Sequence, residues 1–294
     1  MILKKEIQNK SAEWGVPPDI VDKDWVLGHF LSAMFSFEKF RNQLVFKGGT
    51  ALRKCYFADY RFSEDLDFTA LDPDYVISVR EIDEIIQTAN KNSGVLFHIA
   101  NFKELKFEDK LTGYEIKLKY WGANHSKNQE PPEINRWVCG IKVEIILYEQ
   151  IVFKPVIKKI IHPYSDVSLF NDRLIPCYDL KEVMSEKLRA LIQRSYTAPR
   201  DFYDIYSLSD FVEVSEWKMI RSSFEQKTRF KGYDPGSIER IFSKANLKSV
   251  KNAWDNSIRH QIARSDFPDI EIVLSKVRNI IEKHIVFGCT DKLN

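Results

Sequence analysis

Apolar residues recur at helical spacing from Ile20 through Val21, Trp25, Leu27, Phe30, Leu31 and Met34, and Pro17 and Pro18 precede them. Proline fits the first turn of a helix, where its missing N–H costs no hydrogen bond, so the stretch predicts a helix entered at the prolines. "NQLVF", ending at Phe46, predicts a short buried strand, "ALRKCYF" a helix and "DLDFTA" a second strand. Asp72 and Pro73 predict the cap and first residue of a helix continued by Ile82, Ile85, Ile86 and Ala89. The period then shortens. Tyr114, Ile116, Leu118 and Tyr120 alternate with Glu115, Lys117 and Lys119, and Ile141, Val143, Ile145 and Leu147 share one face. A period of two marks half-buried strands. The polar, proline-bearing segment between them predicts an exposed loop, and "IVFKPVIKKII" a further strand.

From about Leu180 the pattern is helical: "DLKEVMSEKLRALIQR", "RDFYDIYSLSDFV", the stripe Leu247, Val250, Trp254 and Ile258, and "PDIEIVLSKVRNIIEKHI", with a turn at Gly232, Pro235 and Gly236. The expectation is an α+β chain: a mixed-sheet domain over residues 1–178, then a helical bundle domain over residues 179–294.

Composition narrows the class. The 294 residues are 44% hydrophobic, enough for a sizeable core, and the net charge is only +2. Charge is uneven, however. Trp217 to Lys283 carries 14 Lys and Arg against 8 Asp and Glu, a net of +6 that leaves −4 elsewhere. Cys55, Cys139, Cys177 and Cys289 are far apart and form no CxxC, and the six histidines lack metal-ligand spacing. No run approaches the roughly 18 apolar residues of a membrane span, and the N-terminal "MILKKEIQNK" lacks a long apolar stretch. A soluble, cytoplasmic protein with no membrane partner is expected.

The candidate chemistry lies in "FKGGTALRKCYFADYRFSEDLDF", Phe46 to Phe68. Residues i and i+2 of a strand share a side, which sets Asp65 and Asp67 roughly 6–7 Å apart with Leu66 and Phe68 facing the core. Two carboxylates so close need a cation or a shared proton, and Mg²⁺ takes such oxygens together with substrate phosphates. Gly48, Gly49 and Thr50 stand between a strand and a helix, where exposed N–H groups and the helix dipole favour phosphate; the Thr50 hydroxyl can add a bond. Glu144 faces away from Val143 and Ile145, as a third metal ligand or as the base for an acceptor hydroxyl. Lys187 and Arg194, at 0 and +7 on a helix, share a face suited to phosphate. Singly, each has an ordinary reading: a capped turn, an exposed strand end, a solvated face. The order of glycine turn, helix, paired aspartates and later strand glutamate is what makes them specific as a set.

That order resembles the DNA polymerase β-like nucleotidyltransferases. More closely, "KGGTALRKCY…RFSEDLDF" is similar to the AbiEii/AbiGii toxin family, nucleotidyltransferase-like toxins of abortive-infection toxin–antitoxin systems. "KVEI" is similar to the second motif of that family, "SEKLRAL" to the third with its lysine at Lys187, and "RDFYDIY" to the fourth with Arg200, Asp201 and Asp204. The likeness spans nearly the whole chain. Thr50 replaces a frequent serine and keeps the hydroxyl. The resemblance implies a Mg²⁺-dependent enzyme that moves an NMP from an NTP to an acceptor hydroxyl, with tRNA 3′ ends suggested as acceptor and a co-encoded antitoxin as partner. It implies metal at Asp65, Asp67 and Glu144, and nucleotide at Gly48, Gly49, Thr50, Arg61, Ser63, Lys187, Arg194 and Asp201. Asp204 or Asp201 would help to bind nucleotide or activate the acceptor, and spacing does not choose between them. The third and fourth motifs are expected to close a cleft. The alternatives are nucleotidylation of a protein side chain and a nucleotide-binding module without transfer.

Overall fold

A computed structural model describes residues 1–126, 128–170, 173–194 and 198–286. Cys289 lies outside these. The chain clusters into two compact units, residues 1–149, 155–177 and 261–264 in the first, and 150–154, 178–260 and 265–294 in the second.

The first unit is built on a mixed seven-stranded sheet: β1 Leu44–Lys47, β2 Asp65–Ala70, β3 Leu96–Phe107, β4 Lys110–Trp121, β5 Gly140–Ile146, β6 Val156–Lys159 and β7 Leu174–Cys177. The order is β3-β4-β5-β2-β1-β7-β6. β2 runs antiparallel to β1 and parallel to β5, and β5 is antiparallel to β4. Because side chains alternate, each cross-strand row has one character. Phe46, Phe68 and Ile145 are successive partners and all buried, with the two phenyl rings stacked at 5.1 Å. The next row, Lys47, Asp67, Glu144 and Glu115, lies on the opposite face. The core covers the apolar face with the helix Pro18–Met34, which contributes Trp25, Phe30 and Leu31, and with Phe35 just after it.

Several elements differ from expectation. Asn42 and Gln43 end a short helix, Glu38–Gln43, so β1 begins only at Leu44. The helix expected to start at Asp72 starts at Val79, where Ser78 and Glu81 form a reciprocal cap; Asp72 instead accepts a turn bond from the Asp74 N–H. Cys55, Cys139 and Cys177 are free thiols. No described helix is long and apolar enough to cross a membrane.

The second unit is helical. Its main helices are Leu180–Gln193, Pro199–Leu208, Trp217–Phe230, Lys244–Ile258 and Ile270–Ile280, buried through residues such as Leu188, Phe202, Phe224, Trp254 and Val277. Buried Glu182 pairs with Lys227 and accepts the N–H groups of Val152 and Phe153 at 2.9 and 2.8 Å. Lys227 also donates to the Gln150 carbonyl at 2.6 Å, which explains why residues 150–154 belong to this unit.

Candidate active site

In the first unit, β1 delivers the chain to Gly48, and β2 runs back beside it. Gly48 has φ +80°, a left-handed conformation that disfavours any side chain, and a methyl there would run into the Asp67 carboxylate. The second glycine is equally confined. A methyl on Gly49 would lie 2.8 Å from Arg61 Nη2 and 3.0 Å from Ser63 Oγ. The glycine turn, the Arg61–Ser63 approach and the paired aspartates are therefore packed together. The helix opens at Gly48 itself, as Gly48–Ala51 continued by Leu52–Tyr56. Gly48→Ala is expected to cost about 1–2 kcal/mol from backbone conformation alone. Urea unfolding checks this: an unchanged midpoint would contradict the seating of Gly48 against Asp67.

The Thr50 hydroxyl departs from expectation. It is buried and donates to the Asp65 carbonyl, so it fixes the turn to β2 instead of presenting its proton to a phosphate. Arg61 is also buried; its Nη1 donates to the Phe62 carbonyl and to Gln261 Oε1, both at 3.2 Å. Gln261 in turn donates through Nε2 to Glu64 at 3.3 Å, and its carbonyl accepts the Phe62 N–H at 2.7 Å.

The carboxylates sit as the strand period requires. Asp65 and Asp67 are half-buried between buried Leu66 and Phe68. Asp67 pairs across the sheet with Glu144, and Asp65 with Lys142. Lys142 Nζ lies 3.1 Å from Glu144 and 3.9 Å from Asp65. Burial raises the Asp67 carboxyl to about 6; Lys47 opposes the rise, and Glu144 and Asp65 add to it. Burial pushes the Lys142 ammonium down, but Asp65 and Glu144 outweigh it and hold it above its usual value. An acidic cluster that draws in a lysine and raises one of its own carboxyls suits a hard cation.

The helix behind the turn is braced from the core. Buried Asp24 accepts from Arg53 Nε at 2.8 Å, Lys54 Nζ at 2.6 Å and the Tyr164 hydroxyl at 2.8 Å. Burial works against the Asp24 charge, yet the Lys54 and Arg53 cations hold its carboxyl far below the usual range. Nearby, His29 and His162 both reach Asp166, at 2.9 and 2.8 Å, and Trp25 Nε1 donates to it at 3.1 Å. Among the described residues this trio is the group of His, Cys, Asp or Glu donors gathered within 4.8 Å. Histidine spacing gave no sign of it. Asp65, Asp67 and Glu144 are not gathered as tightly, with Lys142 drawn in among them. Asp166 ties the two imidazoles together, His162 Nδ1 is buried without a hydrogen-bond partner, and burial, with Lys54 adding to it, lowers the His162 imidazole to about 4, so this is a buried hydrogen-bonded node with one imidazole nitrogen left over.

In the second unit, Lys187 does not lie on a solvated face. Its Nζ is 2.8 Å from Asp201 Oδ1 and 2.6 Å from Asp204 Oδ2, and both aspartates are buried. Arg194 is not on the helix with Lys187, because Leu180–Gln193 ends one residue earlier and Arg194 is extended. Its Nε still comes within 3.0 Å of Asp201 Oδ2, as an ion pair without hydrogen-bond geometry. Asp201 and Asp204 thus act on the same lysine. Arg200 is exposed.

Sequence reasoning missed three residues. Lys47 and Lys142 could have been found by carrying the strand period one step outward from Asp67 and Glu144. Gln261, 200 positions from Arg61, left no local signal.

Comparison with known proteins agrees with this architecture. The family model for the nucleotidyl transferase AbiEii toxin of type IV toxin–antitoxin systems matches residues 29–276. No curated protein matches by sequence. Among solved structures, MenT4, a nucleotidyltransferase toxin from Mycobacterium tuberculosis, is similar with TM-score 0.55 at 17% identity, over 96% of this chain and 97% of that one. JHP933 from Helicobacter pylori is similar with TM-score 0.56 at 14% identity, over 91% and 92%. A putative nucleotidyltransferase from H. pylori gives TM-score 0.52 at 15% identity, over 93% and 97%. These likenesses concern the fold. With the family model covering most of its length, the chain belongs to the AbiEii family of nucleotidyltransferase toxins.

Proposed function

We propose that the protein transfers an NMP from an NTP to the 3′ hydroxyl of an RNA, a tRNA end by its resemblance, with Mg²⁺ as the metal. The observation that carries the reading is the seating of Gly48 against Asp67 in a row shared with Lys47 and Glu144. Asp65 and Asp67 would hold the metal, which when bound supplies charge stabilisation for the transferring phosphoryl group. The N–H groups of Gly48, Gly49 and Thr50 bind phosphate oxygens, with Arg61 and Ser63 beside them. The acceptor oxygen forms a bond to the α-phosphorus, the α–β bridging P–O bond breaks, and pyrophosphate leaves with the electron pair. The hydroxyl proton passes to a carboxylate, a role for which Glu144 is suited. We assign transfer to the sheet unit, and the motif residues Lys187, Asp201, Asp204 and Arg194 of the helical unit to handling of nucleotide or acceptor. The reading places the enzyme in the cytoplasm as a toxin held in check by a co-encoded antitoxin. Labelled NTP, Mg²⁺ and total RNA test it, with label in RNA as the expected result.

An RNA acceptor also gives the basic helical unit a role. The helix Lys244–Ile258 runs unbroken through Asn246 and Leu247, capped by Ser243, and Lys244 and Lys248 are exposed on it. Arg240 lies on the preceding 3-10 stretch, and Lys251 pairs with Glu271. Trp254 is buried. Reversing charge at Lys244 and Lys248 should weaken RNA binding and lower its salt slope, by about 0.7 per lost phosphate contact, with NTP binding unchanged. Titration at several KCl concentrations checks this; a variant that binds as the parent does makes that helix ordinary surface.

A further inference from the structure

We infer that a basic pocket on the β4–β5 side of the paired aspartates receives the phosphodiester backbone of the acceptor RNA next to its 3′ end. This rests on the transfer reading above and names where that acceptor enters. The pocket, of about 280 Å³, belongs wholly to the first unit. Lys23, Lys117, Lys119 and Lys142 line it, against Glu64 and Asp65 as its carboxylates. Its lining thus carries a net charge of +2 beside a cluster that is otherwise acidic, with Lys23 bridged to Glu64, Lys117 to Glu115 and Lys142 to Glu144.

The sheet order gives the direction. In an in-line displacement the attacking hydroxyl and the leaving pyrophosphate lie on opposite sides of the phosphorus. The glycine turn leaves β1, on one side of β2, whereas β5 and β4 lie on the other. With NTP phosphates at the glycine turn, the acceptor comes from the β5 and β4 side, where the pocket is.

The register supplies the reach. Asp65, Lys142 and Lys117 are successive cross-strand partners. At the usual strand spacing Lys117 begins roughly 10 Å from Asp65. Lys119, two residues along on the same face, lies opposite Gly140, where a methyl would lie 2.9 Å from the Leu118 carbonyl. Lys119 Nζ now donates to the carbonyls of Ile134 and Asn135, at 3.2 and 3.3 Å, and Lys117 pairs with Glu115 at 3.2 Å. Both lysines sit at the outer end of the pocket, away from the carboxylates assigned to metal. They suit a single strand's phosphates, which ask for point charges more than for fixed forks.

The test uses the full chain with Lys117→Glu and Lys119→Glu combined, and a 5′-labelled single-stranded RNA oligonucleotide with a free 3′ hydroxyl as probe. Anisotropy titrations across KCl concentrations should show affinity reduced about tenfold or more and a log–log salt slope smaller by about 1.4, for two contacts. NTP binding should match the parent, and in transfer assays the KM for RNA should rise while that for NTP holds. Parent-like RNA affinity and slope in the variant, or no RNA binding by the parent, overturns the pocket. Transfer to RNA with an unchanged KM overturns the pocket and leaves the transfer reading standing. Label that reaches only protein overturns the RNA transfer reading, while the binding titrations still decide the pocket.

Discussion

Asp67→Asn is expected to lower nucleotidyl transfer by about 10²–10³ or more while raising the stability of the metal-free protein at neutral pH. The two effects have one origin. Asp67 is a carboxylate that burial and the neighbouring Glu144 and Asp65 make costly to ionise, raising it from 3.8 to about 6. The folded state therefore holds a proton there that the unfolded chain releases near pH 4. Between pH 4 and 6 the native protein binds more protons, so its stability falls as pH rises through that window. A shift of this size corresponds to at most about 3 kcal/mol at pH 7. Asparagine removes the charge and with it this loss. Chemical unfolding without metal at pH 4.5 and 7.5 should show the variant gaining on the parent only at the higher pH. Activity should collapse at both. Full activity in the variant contradicts the metal assignment, and equal unfolding curves at pH 7.5 contradict the electrostatic account of the cluster.

Lys187→Ala is expected to destabilise the helical unit by about 3–5 kcal/mol. From the chain alone, an exposed phosphate-binding lysine would cost NTP use more than folding. The structure reverses that order. Lys187 is the shared cation of Asp201 and Asp204, and its removal takes the common counter-charge from two buried carboxylates, with Arg194 still beside Asp201. Lys187→Arg should retain most of the stability. Combining Lys187→Ala with Asp204→Asn should recover part of the loss, because one of the two buried negative charges is gone. Urea unfolding followed by far-UV circular dichroism, which the helices dominate, reads this loss. A midpoint equal to the parent's would return Lys187 to a solvated face.

The strands that carry the carboxylates were legible because one residue in two had to be apolar. Leu66, Phe68, Val143 and Ile145 are all fully buried, and the acidic residues between them fall on the other face. The helices at Pro18–Met34 and Leu180–Gln193 were legible for the same reason at a longer period. Two strands were not. β3 is an edge strand paired only with β4, and its outer residues are mostly exposed, so no alternation was imposed on it. β7 is Leu174–Cys177, and Pro176 within it argues against a strand in the sequence.

At the site, local geometry was readable and long-range pairing was not. The glycine turn and the i, i+2 aspartates follow from backbone rules that act over a few residues. That Gly48 is pressed against Asp67, that the Thr50 hydroxyl is taken by Asp65, and that Gln261 holds Arg61 depend on chain segments meeting in space. Asp201 and Asp204 show the limit most clearly. Spacing did not choose between them, but three residues apart on a helix they converge on a single lysine.

The most direct measurement of the central claim incubates the full-length protein with α-³²P-labelled NTPs, one at a time, with Mg²⁺, total RNA and total cell protein, beside the Asp65→Ala and Asp67→Ala variants. The account predicts label in RNA with at least one NTP, dependent on the divalent metal and lost in both variants. Label in protein alone would replace the acceptor, and metal-dependent NTP binding with no label in any product would make the chain a nucleotide-binding module. Label transferred as well by the aspartate variants as by the parent would contradict the site itself.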